Sequence, residues 1–116
     1  MASAVFDTCV LVSAFLTRNQ PGGVSSELLR LVAEGNVELH LSADIISETL
    51  ATLVRDRRAQ PNYRYTPQAA EAFCSDLFDL AGVVDDPPPV PGAVPRDPDD
   101  DKIIACALAA GAEYVV

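Results

Sequence analysis

The sequence is short of positive charge, has one histidine and contains no long apolar run, and each shortage removes a class of function. Eight Lys and Arg against seventeen Asp and Glu leave a net charge of −9. A protein that coats nucleic acid by charge alone would carry the opposite balance. The deficit does not exclude an enzyme that reaches phosphates through bound cations, because such ions invert the local charge. No apolar stretch approaches the ~20 residues of a membrane span. Met1-Ala2-Ser3 places no basic segment ahead of the first apolar one, so no secretory leader is expected. The cytoplasm is the expected compartment, with no membrane partner. Cys9, Cys74 and Cys106 form no CxxC pair, and each has apolar sequence neighbours. They are expected to be reduced core residues. His40 has no cysteine or second histidine nearby at ligand spacing, which argues against zinc.

What is present is a globular composition. Of 116 residues, 49% are hydrophobic, enough for one domain over residues 1–116 with a single core. Ala4-Val5-Phe6 reads as a buried strand ending at Asp7. Thr8 then begins a helix, with Leu11, Ala14 and Phe15 at helical spacing. Pro21-Gly22-Gly23 breaks the chain, and a second helix over 25–33 carries Leu28, Leu29 and Val32 on one side. Val37 to Leu41 alternates with period two, a strand with His40 on its polar side. Ser42 caps a third helix from Ala43 to about Arg57, with a stripe of Ile45, Ile46, Thr49, Leu50, Leu53 and Val54. Thr66-Pro67 starts a fourth, with Ala70, Phe73, Cys74, Leu77, Phe78 and Ala81 as its stripe and Gly82 as its stop. Val83-Val84 is a short strand. A proline-rich connection follows to Pro98, then a last helix ending at Gly111 and a strand over 112–116. No internal repeat is present.

The densest chemistry lies in Arg96-Asp97-Pro98-Asp99-Asp100-Asp101-Lys102, with four carboxylates in five positions just ahead of the apolar Ile103 to Ala110. Acidic residues suit the positive end of a helix dipole, and one or two would serve as caps. The others add repulsion between like charges, which a divalent cation with oxygen ligands would relieve. Asp7 occupies the carboxyl end of the first strand, where open α/β sheets place their ligands, although a lone Asp there also serves as a cap. Glu48 falls off the apolar stripe of its helix, which by itself describes a solvated side chain. Arg55, Arg57, Arg58 and Arg64 are four of the eight basic residues. They suit either a helix end or the phosphates of a nucleic acid, with Tyr63 and Tyr65 available to stack on bases.

With these pieces in order, the whole chain resembles a PIN domain, and most closely the branch of toxin components of bacterial toxin–antitoxin systems. The residues that carry the resemblance are Val5-Phe6-Asp7-Thr8 with Val10 to Ala14, and Leu41-Ser42 with Glu48. Pro91-Gly92, the run from Arg96 to Lys102 and Gly111 to Val116 complete it. The resemblance implies a three-layer α/β/α domain with a mostly parallel central sheet. It implies a Mg²⁺- or Mn²⁺-dependent endoribonuclease acting on single-stranded RNA, restrained by an antitoxin protein. Asp7, Glu48 and Asp101 would be its catalytic acids, with Asp7, Asp101, Asp100 and Glu48 around the metal. Two departures stand out. Cys9 replaces the asparagine usual after the Asp-Thr pair, and the chain stops before the family's fourth acid and its C-terminal helix and edge strand. A shortened sheet would expose an apolar edge and favour a homodimer. The alternative is a degenerate PIN scaffold that binds RNA or a partner protein without cleavage. A phospho-acceptor receiver domain fits poorly, because Asp7 is alone after its strand and Lys102 opens a helix.

Overall fold

The computed structural model describes residues 2–18, 23–55, 65–84 and 101–116, with the backbone but not the side chain of Asp101. Asp100, Arg57, Arg58 and Arg64, the proline-rich connection and most of the acidic run lie outside the described residues.

Among the described residues four strands form one parallel sheet: β1 (Ala2–Val5), β2 (Val37–Ser42), β3 (Gly82–Val84) and β4 (Tyr114–Val115), in the order β3-β2-β1-β4. The helices described between them are α1 (Thr8–Leu16), α2 (Val24–Ala33), α3 (Ala43–Arg55), α4 (Pro67–Leu80) and α5 (Asp101–Ala110), giving the expected α/β/α architecture. The chain builds outward from β1 to β2 and β3, then returns through α5 to place β4 on the other side of β1. Ala4 and Val5 pair with Leu39 and His40 on one side and with Tyr114 and Val115 on the other.

Local chemistry fixes the helix starts. Asp7, Ser42 and Thr66 cap α1, α3 and α4, and Pro67 supplies a first-turn φ already suited to a helix. Gly111, at φ 64°, takes the left-handed turn that ends α5. Gly82 opens β3 instead of stopping α4, which ends at Leu80. A Cβ at Gly82 would lie 3.0 Å from His40 Nδ1, so its missing side chain makes room for that imidazole. His40 shares its strand face with Glu38 and meets it at 3.1 Å, as the period-two reading implied.

The main core gathers Val5, Phe6, Leu11, Leu39, Leu41, Ile45, Leu77 and Cys106. A second cluster holds Phe15, Leu53 and Ala70. Tyr65 belongs to it: its ring stands edge-on to Phe15 at 5.0 Å, and its hydroxyl donates to the Leu53 carbonyl at 2.6 Å. The stacking role considered for Tyr65 therefore gives way to packing, and Tyr63 lies outside the described residues. Cys74 and Cys106 are buried as expected, but Cys9 is exposed on the first turn of α1. Val54 and Phe78 are exposed as well. At about 100° per residue the α3 stripe centres between Thr49 and Leu53, and Val54 falls more than a quarter turn away. Phe78 lies at the margin of the α4 stripe in the same way.

Leu53 and Val54 thus separate core from surface on one turn of helix, at 1% and 43% exposure. Leu53→Ala is expected to lower unfolding free energy by about 2–5 kcal/mol, and Val54→Ala by less than about 0.5 kcal/mol. Urea denaturation of the two variants checks the contrast.

Candidate functional site

Asp7 stands just beyond the carboxyl end of β1, at the point where the chain's outward progression reverses between β2 and β4. In an open parallel sheet this reversal leaves a crevice above the strand ends, because the flanking connections leave in opposite directions. Asp7 is held there at every backbone position. Its N–H donates to the Val116 carbonyl at 2.7 Å, and its carbonyl accepts from Val10 and Leu11. Its side chain is half-buried, and Oδ1 accepts from the Cys9 N–H at 3.2 Å, capping α1. The capping contact sets the carboxylate's orientation and occupies only one of its two oxygens. Cap and ligand are thus compatible roles for Asp7. Beside it, Thr8 is 7% exposed, and its Oγ1 is sealed from solvent with no hydrogen-bond partner among the described residues.

Glu48 occupies the second turn of α3. Ser42 Oγ accepts from the Ile45 N–H at 3.2 Å, and Thr49 Oγ1 returns to the Ile45 carbonyl at 2.8 Å, so this turn is firmly built. The Glu48 side chain is 35% exposed, yet Oε2 is sealed from water. That oxygen meets the ammonium of Lys102, on the first turn of α5, and has no other polar partner among the described residues. The solvated position suggested by the helical wheel is corrected: the flank of α3 that carries Glu48 faces α5. Sequence reasoning treated Lys102 only as the residue that opens a helix and missed this partnership. Its placement beside Asp101 was the available signal, since an ammonium at the positive end of a helix dipole calls for a compensating anion.

Asp101 begins α5, two residues before the buried Ile103. Arg55 closes α3, exposed, where its charge complements the helix C-terminus. It lies two turns from Glu48 on nearly the same line of the helix, about 10 Å along the axis. Among the described residues no group of three His, Cys, Asp or Glu is disposed to hold a metal ion; Asp100 and the Asp101 side chain lie outside them. An apolar groove of about 450 Å³ lies elsewhere, lined by Phe15, Leu29, Phe73 and Leu80 with Arg18 and Asp76. It touches neither Asp7 nor Glu48.

The sequence profile of the PIN domain matches residues 3–116, taking in every described strand but the first residue of β1. The chain belongs to the PIN domain family. No curated protein and no solved structure matches it. PIN domains are generally nucleases, hydrolases that use divalent metal ions. A hard-oxygen donor set suits that chemistry. Asp7 and Glu48 supply carboxylates, and the sealed Glu48 oxygen already accommodates a cation, the Lys102 ammonium. The fit to a divalent ion is one of donor type, carboxylate oxygen for a hard cation. The residues do not resemble a zinc site: His40 is engaged with Glu38, and Cys74 and Cys106 belong to the core.

The thiols of this PIN domain fall into two classes. Burial pushes Cys74 and Cys106 up to about 11, while Cys9 stands in solvent. At pH 8 an excess of a thiol-specific reagent is expected to modify Cys9 alone. Cys74 and Cys106 should react only after urea is added, as read by intact-mass spectrometry.

Proposed function

We propose that this PIN domain is a Mg²⁺- or Mn²⁺-dependent endoribonuclease that hydrolyses phosphodiester bonds of single-stranded RNA, as the toxin of a toxin–antitoxin pair in the cytoplasm. The observation that carries the reading is Asp7, fixed at the reversal point of a parallel sheet with one carboxylate oxygen committed to α1 and the other available. In this reading Asp7 is the central ligand, Asp101 and its sequence neighbour Asp100 add carboxylates, and Glu48 is a further ligand or orients the attacking water. A bound divalent ion supplies a lowered water pKa and positive charge for the phosphoryl oxygens. The chain's own share is positional. The α1 cap restricts the Asp7 rotamer, and Glu48 can accept a hydrogen bond from water through its more exposed side. Arg55, at the end of α3, together with Arg57, Arg58 and Arg64, which lie outside the described residues, would grip the RNA backbone.

The partner side of the reading rests on two surfaces. The groove beside Phe15 and Leu80 offers an apolar seat for an antitoxin segment, with charge at its margin from Arg18 and Asp76. Tyr114, Val115 and Val116 are exposed at the β4 side of the described sheet, and two copies of this 116-residue chain would pair there. Sedimentation velocity should show a dimer in the parent and monomers in Val115→Lys.

The decisive assay incubates labelled single-stranded RNA with Mn²⁺, using the parent and Asp7→Asn purified identically. Cleavage by the parent should fall on the order of a hundredfold in the variant and stop with chelator. Equal cleavage by both would point to a contaminant and remove the reading. Mn²⁺ at a hundred times its Kd should also stabilise the parent by about 2.7 kcal/mol, read as a rise in Tm. Binding of Mn²⁺ and RNA without turnover would favour the non-cleaving scaffold instead, the reading to which Cys9 in place of asparagine lends support.

A further inference from the structure

Lys102 is a charged residue in contact with one of the candidate ligands, and the metal reading gives it no role. Its position is electrostatically awkward, one residue into α5, where a helix dipole favours anions. Burial adds to the cost, since its side chain is 29% exposed. The compensation is Glu48, whose sealed Oε2 has no other polar partner among the described residues. A carboxylate oxygen shut away from water needs a proton, a hydrogen bond or a cation, and here a cation from the same chain answers. The pair also bridges α3 to α5, the helix whose first residue is Asp101.

We propose that Lys102 is an internal counter-cation that occupies Glu48 in the metal-free protein and is displaced when a divalent ion binds, so that Lys102 weakens and thereby sets the metal affinity of the site. The proposal rests on the reading that Glu48 belongs to a divalent-ion site. An ammonium and a divalent ion repel each other strongly at contact distance, so both cannot sit on one buried oxygen. Metal entry then exchanges one cation for another and does not have to assemble a cluster of unbalanced carboxylates. A fastener joining α3 to α5, with no part in metal binding, would leave the metal affinity unchanged when its charge is removed.

The test is calorimetric titration of Mn²⁺ into the parent, Lys102→Gln, Glu48→Gln, the double variant and Asp7→Asn. Lys102→Gln should tighten Mn²⁺ binding about tenfold, and the same change should shift it by less than about twofold in the Glu48→Gln background. Asp7-dependent binding with an unchanged or weakened Kd in Lys102→Gln overturns the proposal and leaves the metal site standing. Tightening that persists undiminished without the Glu48 charge marks a general charge effect and also overturns it. Loss of Asp7-dependent Mn²⁺ binding in every chain removes the metal reading and this proposal together. A second measurement needs no variant. The Lys102 ammonium protons, followed by NMR in the parent, should exchange slowly without metal and rapidly in saturating Mg²⁺, and slow exchange in both conditions overturns the displacement.

Discussion

The acidic end of this sheet depends on β1 being paired along both of its edges. A strand with neighbours on each side cannot twist out of the sheet or slip in register without breaking two ladders. The Asp7 N–H extends the second ladder by donating to Val116 just past the strand. A carboxylate on such a residue is positioned by backbone hydrogen bonding before any side-chain contact is counted. Its cap on α1 then fixes the remaining freedom. Function and folding draw on the same contacts here: the interaction that starts α1 also aims the residue read as the central ligand.

That arrangement makes α1 a spacer between two surfaces of different character. Its N-terminus carries Asp7, and Phe15 near its C-terminus lines the apolar groove, with Arg18 stacked over the Phe15 ring at 4.0 Å and donating to its carbonyl. The eleven residues from Asp7 to Arg18 correspond to about 16 Å along a helix. A group filling the groove would therefore leave the carboxylate open unless it also reached along α1, which takes about five extended residues. The carboxylate and the groove are separable on this geometry, because one rigid element carries both without merging them.

Much of this was legible before any coordinates. Strand and helix periods, caps at Asp7, Ser42 and Thr66, and glycine at position 111 gave the elements in order, since each is local chemistry. The errors came where a residue's fate depends on a neighbour remote in sequence. Val54 and Phe78 are apolar and close to a buried stripe, and nothing local says where the covering helix ends. Cys9 lies on the first turn of α1, two residues after the capping Asp7, and faces solvent despite apolar neighbours. Tyr65 looked like a surface aromatic because its partners, Phe15 and Leu53, lie far away in the chain.

Glu48 shows the same limit where it matters most. Its helical angle describes a solvated residue, and that description is correct for the isolated helix. Packing α5 against α3 changes the answer by sealing one oxygen and supplying one ammonium. Neither residue announces the pair, because 54 positions separate them and each has a plausible surface role. The acidic composition gives the pair its weight. With a net charge of −9, the protein has few cations to spend on internal neutralisation, and one of eight basic residues is committed to a single buried carboxylate oxygen. A partly buried pair of this kind contributes little net stability once desolvation is counted. What the pair does fix is geometry, since it ties the second turn of α3 to the first turn of α5.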